Sequence, residues 1–377
     1  MVIKRFSQWL TKVSVIPLRT VLIVPVVLQI MGAVGIVGYL SYRSGQNAVE
    51  ELTNQLMLEI GDKITQSLNN YLHTPDEITE INAKLIGLGL LDWQNKSQLE
   101  DYFVEQINTF DQVSSVYIAT EEKDFLVIAK PQSESLVIRL VIREWNPRTG
   151  DLENYVADQQ GNRLYLRDTI PNYDPHNDPP TQPWYPIAKS AKNGTWRMVV
   201  SGVKKEELIL VLVRSLPFYD SQGHLQGVLG ATVFLDKMGE FLRQLKIGKT
   251  GQTFIVDEQG FFIATSTDEL PFHQPSFSPK LETLDPQNLR VSLEDSQNPV
   301  TQAVGKFLFS QFSSLDAIHQ AVDLRLKHQN QDYYIRVIPY SLDYNSNWFI
   351  VVTIPVSDFM ERIKNNVHRT VLLCVAA

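Results

Sequence analysis

The apolar residues of this chain follow three successive rhythms. From Val21 to Leu40 they run almost unbroken: VLIVPVVLQIMGAVGIVGYL carries no charge over its whole length. A bilayer core of about 30 Å takes roughly 20 residues of apolar helix, so this stretch can span one. A cleaved signal peptide competes with that reading. It is the weaker of the two, because the apolar region exceeds the usual ~7–15 residues and a long amphipathic stretch follows. From Gln46 to Leu72 the spacing becomes three and four. Val49, Leu52, Leu56, Ile60, Ile64, Leu68 and Leu72 then form one stripe of a helix with a buried face. No strong breaker occurs before Pro75, so the spanning helix is expected to continue outward as a stalk. Its stripe packs on its own domain or pairs with a twin in a dimer.

After the stalk the apolar runs shorten, as strands do. Ser97-Gln98-Leu99-Glu100 reads as a capping box opening a helix whose apolar face is Leu99, Tyr102, Phe103, Ile107 and Phe110. Strand-like runs follow at Val113 to Ala119 and Phe125 to Ala129. A small repeat, D-x-Q-G, recurs at Asp158–Gly161, Asp220–Gly223 and Asp257–Gly260. Gly supplies positive φ and Asp bonds back to the turn backbone, so each reads as a hairpin tip and not a Ca²⁺ loop. Asp236 to Leu245 is helix-like, with Met238, Phe241, Leu242 and Leu245 apolar. A second half then holds a hairpin over 252–266, a Pro-rich loop over 270–299 and a helix opened by Asn298-Pro299. Strands Tyr333 to Pro339 and Trp348 to Ile354 close it. The fold class is α+β: a transmembrane helix continuing into a long stalk, with two curved antiparallel-sheet modules.

Charge adds orientation. Lys4, Arg5, Lys12 and Arg19 precede the apolar span without an acidic residue, whereas Glu50, Glu51, Glu59 and Asp62 follow it. Lys and Arg stay on the cytoplasmic side, which places the N-terminus in the cytoplasm and the bulk outside, in the periplasm or beyond the cell. The formal charge of −8 leaves no broad basic face and argues against nucleic acid as a partner. The single cysteine, Cys374, leaves the exterior without a disulfide. From Ser357 a helical face of Phe359, Met360, Ile363, Val367 and Val371 ends in a short apolar run. It reads as the start of a second spanning helix, against a surface helix that ends naturally.

The apparatus of an enzyme is missing. Gly248-Lys249-Thr250 resembles the end of a phosphate loop, but Arg243 stands where its first Gly belongs; neither H-E-x-x-H nor G-x-S-x-G occurs. His176, in Tyr173-Asp174-Pro175-His176-Asn177-Asp178, reads as part of a rigid loop in preference to a metal site. No catalytic residue, metal or cofactor is assigned. Pro179 to Trp196 is more informative. Trp184-Tyr185 beside a Pro-rich turn offers flat walls and two polar tips, the parts of a small-molecule pocket, and equally the parts of a core.

Several segments together resemble the double-Cache family of bacterial sensor ectodomains, over roughly residues 45–365. They are Pro183-Trp184-Tyr185 with Ala188, then Gly194-x-Trp196, and Gly227-Val228-Leu229-Gly230-Ala231. Lys249 to Val256 and Asn347 to Val352 continue the series. The wording of Leu242 to Thr267 is similar to cyanobacterial members carried by histidine kinases and adenylate cyclases. Taken with the apolar span and stripe, this resemblance divides the chain into a leader over 1–18, a transmembrane helix over 19–42 and a stalk over 43–74. A membrane-distal Cache module over 75–235 and a proximal one over 236–356 follow, then a closing helix and truncated second span over 357–377.

In that family the distal module holds the ligand and the Trp-Tyr pair lines its pocket, so Trp184 and Tyr185 carry over. Amino-acid-binding members place an Arg two positions before the Trp and an Asp after the Gly-x of the last distal strand. Here those places hold Gln182 and Thr232, which supply no charge, so a neutral or differently charged small molecule is expected. Trp196 and Tyr117 complete the candidate ligand-binding set. The function implied is small-molecule sensing by a receptor of the inner cell membrane: single-pass as given, two-pass if complete, paired as a homodimer, and signalling to an output domain that this chain lacks. A ligand-free structural or adhesive surface protein is the alternative, and a tethered hydrolase a remote third.

Overall fold

In the computed structural model, residues 18–131, 140–177, 184–201, 209–273, 289–343 and 346–359 are described, and the first two rhythms form one helix, α1 (Leu18–Gly87). The chain divides into two units, residues 1–56 with 356–377 and residues 57–355. In the first, the apolar start of α1 is bare: Ile30, Met31, Ile36 and Val37 are each more than half exposed. α1 is the one helix among the described residues long and apolar enough to cross a membrane. A helix apolar on every side and unburied by its own chain has lipid as its natural surrounding. The closing helix and second span expected over 357–377 lie almost wholly outside the described residues.

α1 departs from expectation twice. Leu52 faces outward, and Thr53 and Met57 take the buried positions between Val49 and Ile60. The helix also passes through Pro75, the expected breaker, and runs on to Gly87. Proline removes one backbone N–H and costs about 3 kcal/mol in a helix interior. Packing offsets that here: Leu72 and Ile78 are buried on either side, and the Tyr71 hydroxyl donates to the Phe234 carbonyl at 2.6 Å. The stop comes at Gly89 (φ +69°), where the Leu90 N–H reaches the Leu85 carbonyl and the Gly89 N–H that of Ile86, the paired bonds of a glycine C-cap.

The second unit contains two sheets. α2 (Lys96–Thr109) starts one residue before Ser97. Its cap is Asn95, whose side chain accepts from the Gln98 N–H, in place of the expected Ser97-Glu100 box. The strands of the first sheet, which takes the name of the distal module expected over 75–235, are β1 (Ser115–Thr120), β2 (Phe125–Ala129), β3 (Leu140–Asn146), β4 (Asp151–Ala157), β5 (Arg163–Ile170), β6 (Thr195–Ser201), β7 (Ile209–Tyr219) and β8 (Leu225–Phe234). They form one sheet in the order β5-β4-β3-β2-β1-β8-β7-β6, each neighbouring pair antiparallel. β1 and β2 lie at the centre and are buried on both faces, which is why they read as continuous apolar runs. One face packs Val116, Ile118, Ile128 and Leu229 against Ile78 of α1 and Phe103 and Ile107 of α2. The other lies under α3 (Trp184–Ala191).

The proximal sheet comprises β9 (Gln252–Asp257), β10 (Phe262–Thr265), β11 (Val322–His328), β12 (Gln331–Asp343) and β13 (Ser346–Pro355), ordered β10-β9-β13-β12-β11. It is entered through α4 (Asp236–Gln244) and covered by α5 (Pro299–Gln311), which Asn298 caps by accepting from the Val300 and Thr301 N–H groups. All three D-x-Q-G segments are hairpin tips. Gly161, Gly223 and Gly260 have φ between +84° and +86°, and each Asp side chain accepts from the backbone two and four residues on. The α+β expectation of a long apolar helix with two antiparallel sheets therefore matches the structure. The two halves differ in size, and β11 lies in a stretch that the sequence reading passed over.

Candidate functional site

On the α3 side of the distal sheet one row of residues runs from edge to edge. Register pairs Thr195 with Ser215, Ser215 with Gly230, Gly230 with Tyr117, and Tyr117 with Val127. The row continues through Arg143 and Asn154 to Asp168. Directly paired strand residues point to the same face, so this row belongs to the face that carries Trp184 and Tyr185.

Over the row lies an aromatic cluster. The Tyr117 ring meets that of Trp184 edge to face at 4.9 Å, Trp184 meets Tyr185 at 5.6 Å, and Phe125 stacks on Tyr173 at 5.5 Å. Such geometry suits the ring quadrupoles. Gly230 makes room for it: a Cβ there would run into the Tyr117 ring, so the strand position opposite Tyr117 takes no side chain. Burial pushes the Tyr117 phenol above its ordinary range and keeps it a neutral hydroxyl.

The rim of the cluster is polar. The Tyr185 hydroxyl donates to one Glu121 oxygen at 2.6 Å, and the Lys189 ammonium to the other at 2.6 Å. Burial pushes the Glu121 carboxyl up, but the bonds from Lys189 and Tyr185 outweigh it and hold it below the usual range. Burial, and then Glu121 itself, raise the Tyr185 phenol. His176 sits on a single 3-10 turn, Pro175–Asn177, stacks on the Tyr185 ring at 4.0 Å and places Nε2 2.7 Å from the Thr120 carbonyl. It thus braces the Tyr185 ring. Among the described residues no three His, Cys, Asp or Glu side chains come together as a metal site would need.

Four polar side-chain atoms on this face are buried without a partner among the described residues: Thr195 Oγ1, Ser215 Oγ, Trp145 Nε1 and Asn154 Oδ1. Ser215 lies beside the Tyr117 phenol but makes no bond of proper geometry with it. Buried polar groups are almost always satisfied, and an exception calls for a water, an ion or a bound molecule.

The sequence candidates divide accordingly. Trp184, Tyr185 and Tyr117 come together. Thr232 shares their face one pair along, but its hydroxyl is held by those of Ser114 and Ser115 at 2.8 and 2.6 Å. Trp196 is a correction. It pairs with Arg214, one residue out of phase with the Thr195–Ser215 pair, so it lies on the opposite face. There the Arg214 guanidinium covers its ring at 5.6 Å and binds Asp76 of α1. Gln182 is outside the described residues. Sequence reasoning missed Ser215, Thr195 and Glu121. A cue existed for the first, since Arg214-Ser215 is the polar break in the apolar run ILVLVRSLPF.

No curated protein matches the chain. Among solved structures it is similar to a methyl-accepting chemotaxis protein X, at 12% identity and TM-score 0.48, covering 82% of this chain and 99% of that one. It is also similar to the ligand-binding domain of the Pseudomonas aeruginosa PAO1 amino-acid chemoreceptor PctC in complex with GABA, at 16% identity and TM-score 0.46, covering 79% and 98%. A third is the periplasmic sensory domain of the Campylobacter jejuni chemoreceptor Tlp1, at 12% identity and TM-score 0.47, covering 83% and 98%. The family model of the Cache domain, in its double form, matches residues 41–363, and the chain belongs to that family.

Proposed function

We propose that this chain is the extracytoplasmic small-molecule sensing part of a transmembrane receptor, anchored by the apolar start of α1, with its ligand held in the distal module between α3 and the sheet. The observation that carries this reading is the set of buried, unpartnered polar atoms on one sheet face beside the Trp184–Tyr185–Tyr117 cluster. A pocket of flat apolar walls with a few convergent polar groups is the usual form of a small-molecule site. Trp184 and Tyr185 form its walls and Tyr117 its floor, with Thr232 at its margin. The chain works as a homodimer in the inner membrane, its N-terminus cytoplasmic. Ligand binding there shifts α1 and is passed through the membrane helices to a cytoplasmic output domain, of histidine kinase or cyclase type. A ligand acts in this way only by binding one of two conformations more tightly than the other.

The test is thermal stabilisation of the purified protein against a broad metabolite library. One or more compounds should raise the melting temperature, and Trp184→Phe, which keeps the packing, should weaken the response. Silence across the library in a well-folded sample would favour a ligand-free role.

A further inference from the structure

Given a ligand site on this face, we infer that its occupant is a compact uncharged molecule presenting a hydrogen-bond donor and an acceptor side by side, as a vicinal diol or a carboxamide does, to the Thr195–Ser215 pair. The two residues are register partners on neighbouring strands, which places their Cβ atoms about 4.5–5.5 Å apart. Both Oγ atoms are buried and unpartnered among the described residues, and Ser215 is only 1% exposed. Each hydroxyl offers one donor and two acceptor lone pairs. Two of them side by side complement a group that itself both gives and takes a hydrogen bond, and its arrival removes the penalty of leaving them unmet. Gly230, next in the row, bears no side chain; the Tyr117 ring lies over it with its phenol beside Ser215, and with the Trp184 ring it provides an apolar wall for a ligand's C–H faces.

Charge is what the pair does not offer. Glu121 is engaged by Tyr185 and Lys189, Asp174 by Lys123 and the His176 N–H, and Asp168 by Asn154 and Arg167. Arg143 already has a partner, and Arg214 is bound to Asp76 behind the sheet. Arg197 shares the face two residues along from Thr195 but is exposed. A carboxylate or ammonium lodged against Thr195 and Ser215 would lose its water and gain no opposite charge, the costliest form of burial.

The experiment is isothermal titration of the intact chain in detergent with two panels. One holds glucose, myo-inositol, erythritol and nicotinamide. The other holds glutamate, alanine, succinate, malate and putrescine. A member of the uncharged panel should bind. Ser215→Ala and Thr195→Val should each weaken it by about tenfold, as expected for one lost hydrogen bond in a buried site, while Arg197→Gln changes it less than about twofold. Melting curves confirm that each variant is folded, and either hydroxyl variant serves alone if the other is not. A carboxylate or amino acid that binds and loses affinity in Arg197→Gln would overturn the uncharged class and leave the sensing site standing. An uncharged binder indifferent to both hydroxyl variants would overturn the role of the pair. Failure of both panels with a folded protein would overturn this assignment, and if a broad library were also silent, the sensing reading with it.

Discussion

The two modules solve the same packing problem differently. In the proximal module the sheet face beneath α5 is mostly hydrocarbon: Phe254, Val256, Phe262, Leu293, Val304, Leu308, Ile335, Val337 and Val351 are each completely buried, with the Thr353 hydroxyl set among them opposite Ile335. The charged pair set into that module, Asp257 with Arg290, is itself buried, and Arg290 also donates to the Phe261 and Phe262 carbonyls. Beneath α3 in the distal module the face is mixed. Apolar rings lie over a row of Ser, Thr, Asn and Arg, and several polar atoms stand unmet. An interior selected for stability alone gains nothing from unmet polar atoms, because each costs roughly 1–3 kcal/mol. Unmet atoms occur in the proximal module too, at His328 Nε2, Arg336 Nε and Thr353 Oγ1, but those of the distal module share the face that carries the Trp184–Tyr185–Tyr117 cluster.

Substitutions can break or sharpen that contrast. The largest effect is expected at Leu308→Ala beneath α5, where loss of a fully buried side chain should lower unfolding stability by about 2–5 kcal/mol, read as a shift in the urea midpoint. A loss below about 1 kcal/mol would show that this face is not tightly packed. Gly230→Ala comes next. Its methyl must displace the Tyr117 ring, so a destabilisation of about 1–3 kcal/mol is expected, with the near-ultraviolet circular dichroism of the aromatic cluster altered.

Acid should act on the rim. The folded-state pKa of Glu121 is depressed, so its contribution is present above the unfolded value of about 4.3 and is lost as pH falls through the lower folded value. The urea midpoint of the parent should therefore drop more steeply than that of Glu121→Gln between about pH 5 and about pH 3. Identical slopes would mean that Tyr185 and Lys189 do not hold the carboxylate. The smallest effect is expected at Ser215→Ala: removing an unpartnered hydroxyl should change stability by no more than about 1 kcal/mol, in either direction. A loss as large as that of Leu308→Ala would show Ser215 to be structurally bonded after all.

Much of the architecture was legible because it is set locally. The D-x-Q-G tips combine a glycine with positive φ and an Asp that satisfies the turn, so three hairpins can be read from four letters each. Asn298-Pro299 marked a helix start for the same reason. What failed depended on distant partners. Pro75 reads as a breaker until the packing on both sides of it is known. Ser97 and Asn95 are both good caps, and only the position of α2 decides between them. At the site, Trp184 and Tyr185 could be grouped through the family resemblance, and Tyr117 stood with them among the candidates. The face on which Trp196 lies depends on strand register, and a shift of one residue exchanges the two sides of a sheet. The Thr195–Ser215 pair joins two strands whose alignment no spacing in the sequence reveals.

Ser215 and Arg214 are consecutive, and a strand turns consecutive side chains to opposite sides. One peptide unit thus bears a hydroxyl that looks toward the aromatic cluster and a guanidinium that grips Asp76, the residue after Pro75 in α1. The sheet at this point is a wall one residue thick with a handle on each side. The Arg214–Asp76 pair ties that peptide to the long rod behind it, beside the point where proline has left the rod's backbone ladder a rung short.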